Sequence, residues 1–129
     1  MSRENVEVVR EFYEACVRDD LDDALTRCDP DVVYKPAQEA ASHGREAVRA
    51  AWERWVSDVE RLEAAAEEFL DSGNCVVLVV LFRGRGRRSG IEVDARFYEV
   101  FNVDGEGRIL RWEEFTDRSQ ALEAAGLSE

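Results

Sequence analysis

Between Gly90 and Asp117 the chain reads GIEVDARFYEVFNVDGEGRILRWEEFTD, and no other stretch constrains the fold as tightly. Val93, Ala95, Phe97, Glu99, Phe101 and Val103 fall on one side of an alternating pattern, and Glu92, Asp94, Arg96, Tyr98, Val100 and Asn102 on the other. Alternation of this kind is the signature of a strand with one buried face. The loop Asp104-Gly105-Glu106-Gly107 then turns the chain into a second strand. Pairing Val103 with Arg108 predicts Phe101 opposite Leu110, Glu99 opposite Trp112 and Phe97 opposite Glu114. The apolar face therefore carries two carboxylates, Glu99 and Glu114, as diagonal neighbours about 7–8 Å apart at Cα. A one-residue slip of register would send one of them to the other face.

The 129 residues suffice to bury one core, so a single domain spanning 1–129 is expected, with no need of disulfide or metal staples. A net charge of −12 argues against nucleic acid or an anionic membrane as partner, because both attract a basic footprint. With no apolar leader and no run of about 18 apolar residues, a cytoplasmic protein is expected. Cys16, Cys28 and Cys75 lack CxxC or Cys/His spacing and read as buried, reduced thiols. The acidic run Asp19, Asp20, Asp22, Asp23 lacks the alternating ligands, central glycine and distal glutamate of a calcium loop, and reads as caps at helix N-termini. Neither a metal nor a cofactor is expected.

Ahead of the hairpin, Val6, Val9, Phe12, Tyr13, Cys16 and Val17 recur at helical spacing over Arg3 to Arg18, with Ser2 available as N-cap. Asp20 caps a short helix, Leu21 to Arg27, which Pro30 stops. A short strand, Val32-Val33-Tyr34, and a loop from Pro36 to His43 follow. The loop suits a cavity rim, and His43 there lacks any partner fixed by the sequence. Val48, Ala51, Trp52, Trp55, Val56 and Val59 give the cleanest amphipathic pattern, a helix over Gly44 to Asp58. Glu60 to Leu70 suits helix by propensity and strand by alternation. The Asp71-Ser72-Gly73-Asn74 turn and the strand Cys75 to Arg83 favour a hairpin, so strand is predicted. Val76 to Phe82 is apolar on both faces, as in a strand covered on each side. Gly84 to Gly90 reads as a basic loop, and Asp117 with Gln120 opens a last helix that Gly126 ends.

Three stretches, VREFYEACVRDDLDDALTRCDPDVVY, GREAVRAAWERW and VFNVDGEGRILRWEEFTDRSQALEAAGL, occur in an order and spacing that resembles a SnoaL-like member of the ketosteroid-isomerase/NTF2-like superfamily. The resemblance implies an α+β cone: a curved antiparallel sheet wrapped around a long helix, with an internal pocket and usually a homodimer through the outer sheet face. It implies that Phe97, Glu99, Phe101, Trp112 and Glu114 look into that pocket. In the steroid isomerases the position similar to Glu99 holds a protonated acid that donates to an oxyanion. In the related limonene epoxide hydrolases a segment resembling Trp112-Glu113-Glu114-Phe115-Thr116-Asp117 places a catalytic carboxylate at Glu114. Other positions depart from both. Phe12 stands where the isomerases have a tyrosine, Pro36 where they have the proton-abstracting aspartate, and Val77 to Leu81 has no counterpart of the hydrolases' Arg-x-Asp.

Two functions are therefore expected in competition. One is cofactor-free acid/base chemistry of isomerase, cyclase or hydratase type on a small apolar molecule. Glu114 would be its base, Glu99 its acid and Tyr34 a hydroxyl donor, and Phe12, Trp52, Phe97, Phe101 and Trp112 its apolar wall. The other is a non-catalytic dimeric ligand-binding or association domain, with each glutamate neutralised by an arginine such as Arg83 or Arg111, or reaching water.

Overall fold

The computed structural model describes residues 2–127, with side chains from residue 4 onward. Helices α1 (Ser2–Val17) and α2 (Leu21–Thr26) lead into strands β1 (Cys28–Lys35) and β2 (Ser42–His43). Helix α3 (Arg45–Ser57) follows, then four strands, β3 (Val59–Asp71), β4 (Cys75–Gly86), β5 (Glu92–Val103) and β6 (Ile109–Phe115), and helix α4 (Arg118–Ala124). The helix ends follow local chemistry. Asp20 Oδ1 accepts from the Asp23 amide at 3.1 Å, and Asp117 Oδ1 from the Gln120 amide at 3.2 Å. Gly126, at φ +77°, lets the chain reverse so that the Leu127 amide reaches the Leu122 carbonyl at 2.8 Å. α1 begins at Ser2 itself, and the side chain proposed as its cap lies outside the described residues.

The strands form one curved, open sheet in the order β2-β1-β6-β5-β4-β3. All pairings are antiparallel except β1 with β6, which is parallel. A parallel pair needs a long crossover, and everything from β2 to β5 supplies it. Glu60 to Leu70 is strand, as its turn and partner predict.

Several boundaries differ from the sequence reading. Val59 opens β3 instead of closing α3, since the helix ends at Asp58, whose carbonyl accepts from the Arg87 amide at 2.9 Å. Pro30 lies inside β1 and does not stop α2, which already ends at Arg27. The β1–β6 ladder is irregular there, between Cys28 and Val33, as expected where proline removes a donor. The Pro36–His43 segment contains β2, paired with Val33 and Tyr34, and β4 runs on through the first residues of the basic loop to Gly86.

The inner face of the sheet closes over α1 and α3. Val9, Phe12, Tyr13 and Cys16 of α1 and Val48, Ala51 and Trp52 of α3 meet Leu78, Val80, Phe82, Phe101, Val103, Ile109 and Trp112. On the outer face Cys75, Val77 and Val100 pack beneath Ala121 and Ala125, so the second cover of β4 is partly α4 itself. All three cysteines are buried and free. Among the described residues no helix is long and apolar enough to cross a membrane, and no group of His, Cys, Asp and Glu is arranged to hold a metal.

Candidate functional site

The site begins with the turn between β5 and β6. Asp104 Oδ1 accepts from the amides of Glu106 at 2.8 Å and Arg108 at 2.9 Å, and Gly107, at φ +79°, brings the chain back. Val103 pairs with Ile109, not Arg108, and the next pair is Asn102 with Arg111. Leu110 is the extra residue of a bulge and points out, 41% exposed, where simple alternation had put it inside. Beyond the bulge Phe101 faces Trp112 and Glu99 faces Glu114. The predicted register was thus two residues short, which preserves the faces and changes the partners. Glu99 and Glu114 are direct cross-strand neighbours, closer than the predicted diagonal, at about 4.5–5.5 Å between Cβ atoms.

Glu99 sits in a sealed aromatic chamber with no exposed surface. The Trp112 indole donates to its Oε1 at 2.5 Å. Phe12 packs edge-on to Phe101 and Trp112 at 5.7 and 5.2 Å, while Phe101 and Trp112 stack at 5.7 Å. Burial drives the Glu99 carboxyl well above the usual carboxylate range, the Glu114 charge adds to this, and the Trp112 hydrogen bond opposes it. This environment therefore favours the neutral form of Glu99. With Oε1 accepting from Trp112, the proton belongs on Oε2, which has no hydrogen-bond partner among the described residues.

Glu114 is half-buried and lies on the wall of a cavity of about 250 Å³, whose lining includes Tyr34, Pro36, Arg54, Trp55 and Phe97. Tyr34 pairs with Trp112 across the parallel ladder and stacks on it at 4.0 Å. That stacking carries its hydroxyl to Glu114 Oε2, to which it donates at 2.9 Å. Burial raises the Glu114 carboxyl to about 7 against the pull of the Tyr34 and Ala37 hydrogen bonds, with Glu39 raising it further and Lys35 lowering it. The Tyr34 hydroxyl is pushed up by burial and then by the Glu114 carboxylate, so it stays protonated and remains a donor. One carboxyl poised near neutrality, held by one hydroxyl beside an apolar wall, is what proton transfer at carbon or oxygen requires.

Of the residues expected to form the pocket, Glu114, Tyr34 and Phe97 line this cavity. Glu99, Phe12, Phe101 and Trp112 form the solid floor behind it, each no more than 1% exposed. Trp52 faces a different cavity, and His43 is exposed on β2. The arginines considered as neutralisers are engaged elsewhere, Arg83 with Asp94 at 3.8 Å and Arg111 with Glu113 at 3.3 Å. No salt bridge to Glu99 or Glu114 occurs among the described residues. A larger depression, about 520 Å³ beside the β5–β6 turn, is lined by Asn5, Gly73, Asp104 and Glu106 and lies away from both.

Sequence reasoning missed Tyr13, one residue beyond Phe12. It is 3% exposed, its hydroxyl lacks a hydrogen-bond partner among the described residues, and burial followed by the Glu99 charge raises its pKa. Helical spacing placed it on the covered face but not beside an acid on a distant strand. Arg54 and Asp58 at the cavity edge were also missed, because on α3 they read as solvated positions.

A model of the SnoaL-like domain matches residues 9–112. The chain belongs to the SnoaL-like family. No curated protein matches the sequence. An NTF2-like protein of unknown function from Burkholderia pseudomallei K96243 is 25% identical, with a TM-score of 0.79 over 93% of this chain and 95% of that one. A protein from Jannaschia sp. CCS1 assigned as a SnoaL-like polyketide cyclase is 22% identical, with a TM-score of 0.82 over 96% of this chain and 92% of that one. TerC, co-crystallised with polyporic acid, is 17% identical, with a TM-score of 0.78 over 95% of this chain and 98% of that one. These likenesses establish that this SnoaL-like chain has the NTF2-like fold.

Proposed function

We propose that this SnoaL-like protein binds a small, largely apolar molecule in the cavity beside Glu114 and performs cofactor-free acid/base chemistry on it. The observation that carries this reading is a carboxyl raised to about 7, oriented by the Tyr34 hydroxyl, on the wall of a cavity backed by aromatic rings. Glu114 as carboxylate takes a proton from carbon next to a carbonyl, and the C–H electron pair moves onto the carbonyl oxygen as an enolate. Return of that proton to another carbon gives isomerisation. Attack of the enolate carbon on a second carbonyl, whose oxygen then takes the proton back from Glu114, gives an aldol-type cyclisation. Glu99, neutral and directly opposite, keeps a second negative charge from forming beside Glu114 and so acts as a positioning acid, not as a group in contact with substrate. The fold shared with a polyketide cyclase assignment and with a polyporic acid complex supports a small-molecule ligand.

The test uses 2-tetralone, an enolisable apolar ketone, with α-hydrogen exchange in D₂O followed by proton NMR. The protein should accelerate exchange, with a rate that rises as pH passes about 7. Glu114→Gln should lower it by about 10²-fold or more. Equal exchange in the two proteins would overturn the reading.

A second reading, ligand binding or association without catalysis, draws on the sealing of Glu99, which leaves one carboxyl of the pair on the cavity. It predicts a ligand-induced shift of the Glu114 resonance with no gain in exchange. In either case Tyr98, Leu70 and Phe115, half-buried around the outer apolar cluster, support a homodimer through that face, checked by sedimentation equilibrium.

A further inference from the structure

Four charged residues line the cavity beside Tyr34, and three of them are acids: Glu39, Asp58 and Glu114. The fourth is Arg54, in the last turn of α3. With 29 acidic residues against 17 basic ones, an arginine of this chain has carboxylates within easy reach. Arg49, earlier on the same helix, has two, Asp22 and Glu46, and Arg45 is held by the Cys28 carbonyl, its Nε at 3.1 Å. Among the described residues the Arg54 guanidinium makes no hydrogen bond and no salt bridge, although Asp58 stands one turn further on. The turn between β4 and β5 brings a second cation to the same end of α3: the Arg87 amide donates to the Asp58 carbonyl and its Nε to the Ser57 carbonyl, both at 2.9 Å. The side of the cavity built from β6 and the segment after β1 thus presents Glu114 and Glu39, and the α3 side presents a guanidinium with its donors free.

We propose that Arg54 is a specificity-determining residue that takes a carboxylate of the ligand, so that the molecule bound in this cavity is a small keto acid. Its enolisable carbonyl lies at Glu114, its carboxylate at Arg54, and an apolar skeleton along Trp55 and Phe97 joins the two. The carbonyl end rests on the reading of Glu114 given above; the carboxylate end rests on Arg54 alone. The planar guanidinium fork matches a carboxylate with two parallel hydrogen bonds, which a lysine in its place would not do. Glu39 and Asp58 oppose an anion, but both are exposed, where water and salt screen single charges, and neither can offer it a hydrogen bond when ionised. A cavity of about 150 Å³ is enough to hold a benzene ring. The cavity of about 250 Å³ therefore suits one ring with a short chain.

The test compares 4-oxo-4-phenylbutanoate with its amide, which has the same shape and no charge. Amide-proton NMR titrations give a Kd for each, and carbon-13 NMR of the Glu114 carboxyl reports the carbonyl end. The quantity read is the ratio of the two Kd values within one protein, so a general change in the cavity cancels. In wild type the acid should bind at least about fivefold more tightly than the amide. Arg54→Gln should bring the ratio below about twofold, and Arg54→Lys, which keeps the charge and loses the fork, should fall between. Arg96→Gln removes the same charge from an arginine paired with Glu67, on the opposite face of β5 from Phe97, and should leave the ratio at its wild-type value. An amide bound as tightly as the acid in wild type would overturn the proposal, as would no detectable binding of the acid at millimolar concentration. So would an Arg96→Gln effect equal to that of Arg54→Gln, which would assign the preference to the overall field. A preference that depends on Arg54 with no Glu114 response would instead overturn the acid/base reading and leave the role of Arg54 standing.

Discussion

Glu99 and Glu114 are the same residue, on the same face of the same sheet, directly opposite each other, yet their surroundings give them different chemistry. Glu99 has no exposed surface and accepts a hydrogen bond from the Trp112 indole, itself packed with Phe12 and Phe101. Glu114 lies on the neighbouring strand β6, where β1 brings Tyr34 and the Pro36–Glu39 segment to a cavity. Full desolvation favours the neutral acid form of the first. Partial desolvation, balanced by two hydrogen bonds, leaves the second near the midpoint of its titration at neutral pH. The lesson is that depth on a face, more than residue type, divides a buried acid from a working one.

The hardest blow to this arrangement is Trp112→Ala. It removes a ring that packs on Phe12, Tyr34 and Phe101 and also strips Glu99 of its donor. A loss of about 3–5 kcal/mol is expected from the cavity, read as a lower urea midpoint. If stability fell by less than about 1 kcal/mol, the sealed chamber would not be the rigid floor described.

The next test separates the two acids by pH. Both have folded-state pKa values raised above the unfolded value of about 4.3, so below that value both states hold the protons and nothing changes. As pH rises further the unfolded chain loses protons that the folded chain keeps, and stability falls by about 1.4 kcal/mol per unit for each group. The Glu114 contribution levels off as pH passes about 7, while that of Glu99 continues higher. Glu99→Gln should therefore gain on wild type steadily from about pH 5 upward. Parallel stability profiles for the two proteins would mean that Glu99 is ionised in the fold.

The smallest expected effect sharpens the Glu114 side. Tyr34→Phe removes a hydrogen bond that holds the Glu114 carboxyl down, so its midpoint should rise from about 7, by roughly one unit. The packing on Trp112 would remain. Carboxyl carbon-13 titration reads this directly, and a midpoint that drops toward about 4.3 would show that water already reaches Glu114.

Much of this was legible in the residues. Alternation in β5 placed Glu99 on the buried face, and the capping residues Asp20 and Asp117 marked two helix starts. The strand β3 was legible only through its neighbours, since Ala and Glu favour helix and the turn before β4 overrode them. The register was not legible, because the bulge at Leu110 adds a residue that no periodicity announces. Depth was not legible either. Phe97, Phe101 and Trp112 look alike as apolar members of one sheet face, and only their packing makes Phe97 a cavity wall and the others a floor.

The sequence by itself determined the family, the α+β element order and the presence of two acids on one inner face, because hydrophobic period and turn chemistry are local properties. Tertiary structure alone decided that those acids are direct partners, that Tyr34 holds one and Trp112 the other, and that of the two it is Glu114 that lines a cavity. Those outcomes depend on a bulge, on a parallel pairing between strands far apart in the chain, and on how much water is left beside each carboxyl. Proton affinity follows desolvation, and desolvation is a property of the packed molecule.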